Sequence, residues 1–512
     1  MANNRLLASK AASPSKQLVR TSRTFTNLYW ALGLATIALL TACGGGGSGG
    51  SGGSGGDDKN QVEITFAPSA QLAKTCASPN LAAGEKQGTV ENEKAWVRSF
   101  VDESYLWYKD VPNLDASKYA TAPAYFDILK TPKKNSADED LDRFHFSYPT
   151  DLYNQYSSGQ SLGYGIQWGA INELKTRNFV VLNVEPDSPA GRQSVMRGDK
   201  LVSIDGTRID DDKALDKAIN PDGKAHNFVF QRGQNNNLSI SLQAGQYSLM
   251  PVRDTKLIPG TKVGYVYLNS FLQFTIQDQL AIEFRKLINE GVSDLVIDLR
   301  YNGGGLLSVS SQLAYMIAGP SASNRKTFSK LIFNDKRNNE NKAFPFVPYR
   351  LTPSGAYIRS EPLPSLNLKR ITFLVGQATA SASEQLINGL RGIGVTVNLI
   401  GNTTYGKPYG FSGNNNCGRT YFPVEFKGEN DLGFSDYDAG FEPSCSVQYD
   451  PSYPLGDASE PRLAAALQYI ATGKCSANPV AAMKASIAPI NASPVIEPNP
   501  MHFLTIHTKI NP

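Results

Sequence analysis

Histidine is scarce in this 512-residue chain: four occur, His145, His226, His502 and His507, and none lies between Met250 and Cys475. A serine–histidine–aspartate triad confined to that stretch is therefore excluded. With no CxxC pair and no histidine cluster, no metal and no cofactor is expected. Long basic blocks are missing too. The net charge is only +4, and much of the excess sits near the N-terminus at Arg5, Lys10, Lys16, Arg20 and Arg23, so no nucleic-acid partner is expected. The one pronounced apolar run, Asn27–Ala42, is short for a membrane span, which needs about 20 residues. Cysteine is limited to five residues, and no internal repeat is visible.

That apolar run follows basic residues and ends in small ones, as a signal peptide does. Its end, Leu40-Thr41-Ala42-Cys43, resembles the bacterial lipobox, which implies a diacylglyceryl group on Cys43 and a new N-terminus there. Residue 44 is Gly rather than Asp, so the inner-membrane retention signal of such lipoproteins is missing. The expected location is the cell envelope, at the outer membrane, held through a lipid anchor. Gly44–Gly56 consists entirely of Gly and Ser, a flexible tether with a reach of roughly 20 Å. Four cysteines remain, an even number that favours two disulfides in an exported chain. Of three pairings, Cys417–Cys445 and Cys76–Cys475 are expected, the second tying the ends of the body together.

The body divides by texture. Residues 1–43 read as the leader, 44–60 as the tether, 61–160 as a mainly helical unit, 161–249 as a second unit, 250–475 as an α/β core, and 476–512 as a weakly ordered tail. Within Glu93–Val111, Trp96, Phe100, Val101, Tyr105 and Leu106 recur at helical spacing and are read as core. From Val263 onward strands and helices alternate. VGYVYL (263–268), DLVIDL (294–299), RITFLV (370–375) and VTVNLI (395–400) are strand-like. Thr275–Asn289 reads as an amphipathic helix with Ile276, Leu280, Ile282, Phe284 and Leu287 on its apolar face. Such alternation suggests a sheet covered by helices.

Chemistry is suggested at three strand ends. Thr379-Ala380-Ser381-Ala382-Ser383-Glu384 places small residues between a strand and a helix, where N–H groups and the helix dipole favour developing negative charge. The same run also fits a capping box, Ser381-x-x-Glu384, a purely structural device. Arg300–Gly305 puts three glycines after a strand, which can expose N–H groups or simply turn the chain. Thr404-Tyr405-Gly406-Lys407 follows the strand that ends at Ile400. With no histidine at hand, a nucleophilic serine here needs another base. A buried lysine can serve once its pKa falls far enough to leave it neutral.

Between these units, Leu162-Gly163-Tyr164-Gly165-Ile166, then Ser188-Pro189-Ala190-Gly191 and Gly198-Asp199-Lys200-Leu201…Ile204-Asp205-Gly206, resemble a PDZ domain. The resemblance implies that the Leu162–Ile166 loop takes a peptide's terminal carboxylate and that the next strand accepts the peptide as an added strand. A PDZ shell that only packs against its neighbour is the other reading. The succession helical segment, PDZ, DLRYNGGG, TASASE and TYGK resembles the carboxyl-terminal processing, or tail-specific, peptidases over roughly Glu93–Cys475. That resemblance implies an α/β, crotonase-like core with an inserted PDZ domain. It further implies Ser381 as nucleophile, Lys407 as general base 26 residues later, and an oxyanion hole from Ala382 and Gly303 or Gly304. The expected partners are proteins or peptides with free C-termini. One departure stands out: many members carry glutamine four residues after the lysine, where this chain has Phe411. A catalytically impaired peptide-binding lipoprotein and a crotonase-like thioester enzyme are the alternative functions.

The leader yields a first test. Intact-mass analysis of the membrane fraction should find a chain beginning at diacylated Cys43. A soluble product cut elsewhere, and unchanged by Cys43→Ala, would contradict the anchor.

Overall fold

The computed structural model describes residues 65–475, apart from 174–175, 210–216, 219–220 and 235, together with residues 505–506. The leader, Cys43 and the tether lie outside the described residues, as does most of the tail. None of the described helices is long and apolar enough to cross a membrane.

The core is a six-stranded sheet in the spatial order 252–257, 263–268, 294–298, 370–375, 396–401, 445–446. Its first pair is antiparallel and the rest are parallel. From 263 onward each strand adds on the same side of the one before. Right-handed crossovers then deliver the linking helices to a single face. Those helices are Ile276–Asn289, Leu307–Ser323 and Ala382–Gly392. On that face Val266, Leu295, Ile297 and Phe373 meet Leu280, Phe284, Leu313 and Leu386. Side chains alternate across a strand, so Tyr265, Val296, Leu374 and Ile400 point the other way. They pack on Leu463 and Ala466 of the helix Pro461–Thr472. Val263–Leu268 is buried at every position, as expected of a strand covered on both faces.

Most expected elements appear within a few residues, with two informative differences. Ile276, Leu280, Phe284 and Leu287 are buried, but Ile282 is 62% exposed. At 100° per residue it lies on the far side of the helix from the other four, so it is not part of the apolar face. The N-terminal helix runs only over Val90–Ser104, because Tyr105 turns to extended backbone. Thr89 caps its start, its Oγ1 accepting from Asn92 N–H. Trp96, Phe100, Val101 and Tyr105 are core residues as expected. They pack with Phe144 and with Tyr409, Phe411, Tyr421 and Phe422 from much later in the chain. The N-terminal unit therefore has no separate core; it closes over the segment that follows Lys407.

Between the two, a second sheet has the strand path 236–243, 225–232, 200–204, 176–184, 166–173, with 207–208 beside 200–204. Tyr164, Trp168, Phe228 and Phe230 lie in its core. Gln160–Gly163 pairs antiparallel with Gly245–Ser248, so entry and exit of this unit are zipped together. Arg197 links it to the α/β core by donating to the hydroxyls of Tyr301 (2.5 Å) and Tyr449 (2.7 Å).

The disulfides differ from the expected pairing. Cys76 is bonded to Cys417 and Cys445 to Cys475, with Cα–Cα distances of 5.4 and 5.6 Å. Cys417 sits in the turn between the strands Asn414–Asn416 and Arg419–Phe422, and Asn416 Oδ1 there accepts from Lys74 N–H at 2.8 Å. This brings the N-terminal segment, not the C-terminal one, to Cys417. Cys445 lies on the last sheet strand, beside which the final helix ends, so Cys475 is its neighbour. The expected tail, 476–512, lies outside the described residues apart from Thr505–Ile506.

Non-reducing peptide mapping should recover the pairs 76–417 and 445–475. Cys76→Ser/Cys417→Ser should lower the unfolding free energy by about 2–4 kcal/mol in urea titrations, because the crosslink restricts a long loop in the unfolded chain. An unchanged midpoint would show that the crosslink contributes nothing.

Candidate active site

The strand Arg370–Val375 leads into a turn held by Thr379. Its Oγ1 donates to the Leu299 carbonyl (2.8 Å) and accepts from Gly376 N–H (3.0 Å). Ser381 follows at φ +62°, ψ −114°, a sparsely populated conformation that costs about 1–3 kcal/mol in a non-glycine residue. It is fully buried, and its Oγ has no hydrogen-bond partner among the described residues. Only half of the capping box forms. Ser381 N–H donates to Glu384 Oε2 at 2.9 Å, while the hydroxyl is left out of the cap.

Glu384 does more than cap. Its Oε2 also accepts from Lys407 N–H (2.8 Å), and its Oε1 accepts from Gly406 N–H (2.7 Å) and Thr404 Oγ1 (2.6 Å). One buried carboxylate thus joins the serine turn to the Thr404–Lys407 loop. Tyr405 N–H adds a direct bond to the Thr379 carbonyl (3.0 Å). Gly406 sits at φ +87°, and a Cβ there would stand 2.4 Å from the Asp438 carbonyl oxygen, so the position admits only glycine. Burial pushes the Glu384 carboxyl pKa up, while its four hydrogen bonds pull it down.

Lys407 is completely buried. Its Nζ lies 3.9 Å from the centroid of the Phe411 ring and 5.2 Å from that of Phe144. This burial holds its pKa well below the usual lysine value, against the opposing pull of Asp142 and Glu384. Asp142, also buried, accepts from Tyr105 OH (2.5 Å) and from the N–H groups of Phe144 and His145 (3.0 Å each). His145 is neutral, pushed down to about 4 by burial, and its Nε2 is engaged with the Phe126 carbonyl.

The glycine turn is tied to the serine turn by Asn302. Its carbonyl accepts from Ala380 N–H (3.1 Å) and Ser383 Oγ (2.9 Å), and its side chain accepts from Gly304 N–H (2.9 Å). The Gly304 N–H is therefore committed internally, which leaves Gly303 as the better candidate donor from this turn. Ala382, the other candidate, opens the helix after Ser381, with its carbonyl held by Ser310 Oγ (2.7 Å). Below the turn, Arg300 is buried and bonded to Asp298 Oδ1 (2.9 Å) and, through both terminal nitrogens, to Glu460 (2.6 and 2.9 Å).

Leu162, Gly163, Tyr164, Gly165 and Ile166 belong to the inserted sheet unit, apart from the Glu384 cluster. Leu162 is exposed, and Tyr164 is buried in the unit's core. Gly165 lies at φ +78°, where a Cβ would fall 2.0 Å from that of Ser188.

Asn302, Thr404, Asp142 and Phe144 carry much of this architecture but were not singled out from the sequence. Asn302 and Thr404 lie inside the motifs themselves, so attention to their hydrogen-bonding side chains would have found them. Asp142 and Phe144 come from a distant segment, and no local pattern marks them.

Residues 262–413 match peptidase family S41, and residues 92–148 match the peptidase S41 N-terminal domain. The chain is 27% identical over 267 residues to chloroplastic carboxyl-terminal-processing peptidase 3 of Arabidopsis thaliana, covering 49% of this chain and 46% of that protein. It is 26% identical over 245 residues to carboxy-terminal processing protease CtpB of Bacillus subtilis, covering 47% and 46% respectively. The chain thus spans about half the length of the curated relatives it matches. A crystal structure of a putative S41 protease from Bacteroides fragilis is similar over 74% of this chain and 97% of that one, with 25% identity and a TM-score of 0.59.

Glu384→Ala should strip four donors of their acceptor, and each buried donor left unsatisfied costs about 1–3 kcal/mol. A large fall in the urea midpoint is expected, with Glu384→Gln milder because one carbonyl oxygen remains. Equal midpoints for wild type and Glu384→Ala would show that the carboxylate does not hold the two loops together.

Proposed function

We propose that this chain, which carries the domains of peptidase family S41, is a serine endopeptidase in which Ser381 attacks the scissile carbonyl and Lys407 takes the serine proton. The observation that carries the reading is the shared Glu384 staple. It fixes a strained, buried serine and a buried lysine to one carboxylate, and burial favours the neutral amine that a general base requires. In this reading the amine accepts the Oγ proton as the Oγ–carbon bond forms. The protonated lysine then delivers that proton to the leaving amine, giving an acyl-enzyme. Water repeats the sequence, with its proton passing to Lys407, and frees the carboxylic product. Developing oxyanion charge is met by N–H groups of Ala382 and the glycine turn, of which Gly303 is preferred. The progressive strand order with helices on one face supports a crotonase-like core.

The inserted unit is proposed to be a PDZ domain that receives substrate C-termini through the Leu162–Ile166 loop. The strand Ile166–Glu173 supports this, because among the described residues it ends its sheet and pairs on one side only, with Thr176–Val184. A free edge is what strand addition needs. Protein or peptide substrates at the outer membrane, reached from a lipid-anchored body, complete the reading.

Ser381→Ala and Lys407→Ala should each reduce peptide cleavage by at least a thousandfold and, for Ser381→Ala, abolish fluorophosphonate labelling. Lys407→Arg should fail equally, since a guanidinium stays protonated. A lysine whose pKa is lowered is neutral, and active, above that pKa, so cleavage should rise with pH through one ionisation and vanish in acid. Phe411→Gln replaces the apolar ring beside Nζ with a polar amide, which should move that ionisation upward. A fully active Lys407→Ala protein would overturn the dyad, and equal cleavage of amidated and free-carboxylate peptides would overturn capture of C-termini.

A further inference from the structure

The segment after Lys407 is built to bring aromatic rings to its amine. Gly410 turns toward Phe426, where a Cβ would fall 2.2 Å from Phe426 Cζ. Side chains alternate along the strand Tyr409–Gly410, so Tyr409 and Phe411 share the other face, which packs into the N-terminal unit. Phe411 is fully buried there, held by the rings of Phe146 and Phe422 with centroids 5.8 and 5.6 Å away. Phe144 comes from the N-terminal unit itself. Asp142 Oδ1 accepts its N–H at 3.0 Å, and its ring meets those of Tyr405 and Tyr409, each 5.8 Å away. Both rings are thus fixed by neighbours other than the lysine. Lys407 Nζ lies over the faces of both, 3.9 Å from the Phe411 centroid and 5.2 Å from that of Phe144. Attraction between a cation and a ring face acts within about 6 Å of the centroid.

A ring so placed has two opposed effects. Its bulk excludes water, which favours the neutral amine. Its face carries the negative part of the ring quadrupole, which attracts an ammonium far more than an amine. A general base needs both, being neutral before the reaction and cationic once it holds the proton. An interaction made only with the cationic form acts on the barrier rather than on the resting state. The charged groups around the lysine are known from the packing. Asp142 on the N-terminal segment and Glu384 on the helix after Ser381 favour the ammonium, and both carboxylates are engaged by donors of their own. Arg143 donates to the Tyr405 carbonyl at 2.8 Å, Asp438 turns its backbone carbonyl toward Gly406, and His145 is neutral.

We propose that Phe411, together with Phe144, is the positioning residue of Lys407: its ring face seats the amine and stabilises the ammonium that forms as the serine proton arrives. The catalytic consequence rests on the dyad reading above; the seat itself does not. Phe411 then performs, through its π face, the orienting task that the family resemblance gives to a glutamine at this place.

The test replaces Phe411 in the full chain by mono-, di- and trifluorinated phenylalanine, introduced by nonsense suppression. Fluorine keeps the ring's shape and apolar bulk but progressively drains its face of negative charge. A weaker face disfavours the ammonium, so the ionisation that limits kcat/KM should move stepwise to lower pH, by about 0.5 units or more for the trifluorinated ring. Plateau kcat should fall at least threefold along the series, as the base weakens. In a Ser381→Ala background the titration of Lys407, followed by the NMR signal of isotopically labelled lysine that Lys407→Ala removes, should move by the same steps. The same series at Phe144 should act in the same direction and more weakly, as its greater distance requires. A pH profile and a Lys407 titration that stay constant along the Phe411 series would overturn the proposal. So would a fall in kcat with neither of them shifted, the mark of a merely structural ring. A stepwise titration in proteins that cleave nothing, with Ser381 intact, would uphold the seat and overturn the peptidase reading instead.

Discussion

The buried carboxylate of Glu384 is the constraint on which the site depends. Ser381 and Lys407 lie on different sides of a strand crossover, and each brings a backbone N–H to the same Oε2 atom. A carboxylate in an apolar interior is costly unless its lone pairs are filled. Here all four partners come from the two loops that must meet. The arrangement makes correct assembly of the site a condition for satisfying the charge, so the geometry of the pair is tied to folding itself. Thr404 extends the link, because the hydroxyl that donates to Glu384 also accepts from Phe441 N–H at 2.7 Å.

The wider fold feeds this point from three directions. Progressive strand order puts the ends of 294–298, 370–375 and 396–401 side by side, which sets the glycine, serine and lysine turns next to one another. Asn302 then ties the first turn to the second, and Arg300, clasped by Asp298 and Glu460, anchors the strand end beneath them. A guanidinium with two buried carboxylate partners loses much if either is removed, so this clasp acts as a register pin rather than a net source of stability. The N-terminal unit supplies the last wall. Phe144 and Asp142 reach the neighbourhood of Lys407, one apolar and one charged, with opposite influence on the amine.

How much of this could be read beforehand depends on whether the signal was local. The strand–turn–helix runs were legible because buried parallel strands are continuously apolar and the turns between them are rich in small residues. The motifs around Ser381 and Lys407 were legible for the same reason, as was the departure at Phe411. The sequence pattern Ser381-x-x-Glu384 was equally consistent with a helix cap. What it could not reveal is that the carboxylate is shared with residues twenty or more positions later. Cysteine pairing was misread because it depends on where the N-terminal segment crosses the late hairpin, a contact set by tertiary packing of Trp96, Phe126 and Tyr421. Ile282 was misassigned for a simpler reason: an apolar residue inside a helix was counted without checking its angle.

The bond between Cys76 and Cys417 closes a covalent ring of chain that contains Ser381, Lys407, the inserted sheet unit and most of the α/β core. Any surface loop of such a chain can be nicked by a protease. Within the ring a single cut opens the circle but releases no fragment, because the two new ends stay joined through the sulfur bridge. The second bond, Cys445–Cys475, gives the same protection to the stretch that holds Glu460 and the final helix. Damage by one cleavage would therefore show as extra bands only after reduction, while the unreduced protein would keep its mass and both halves of its site.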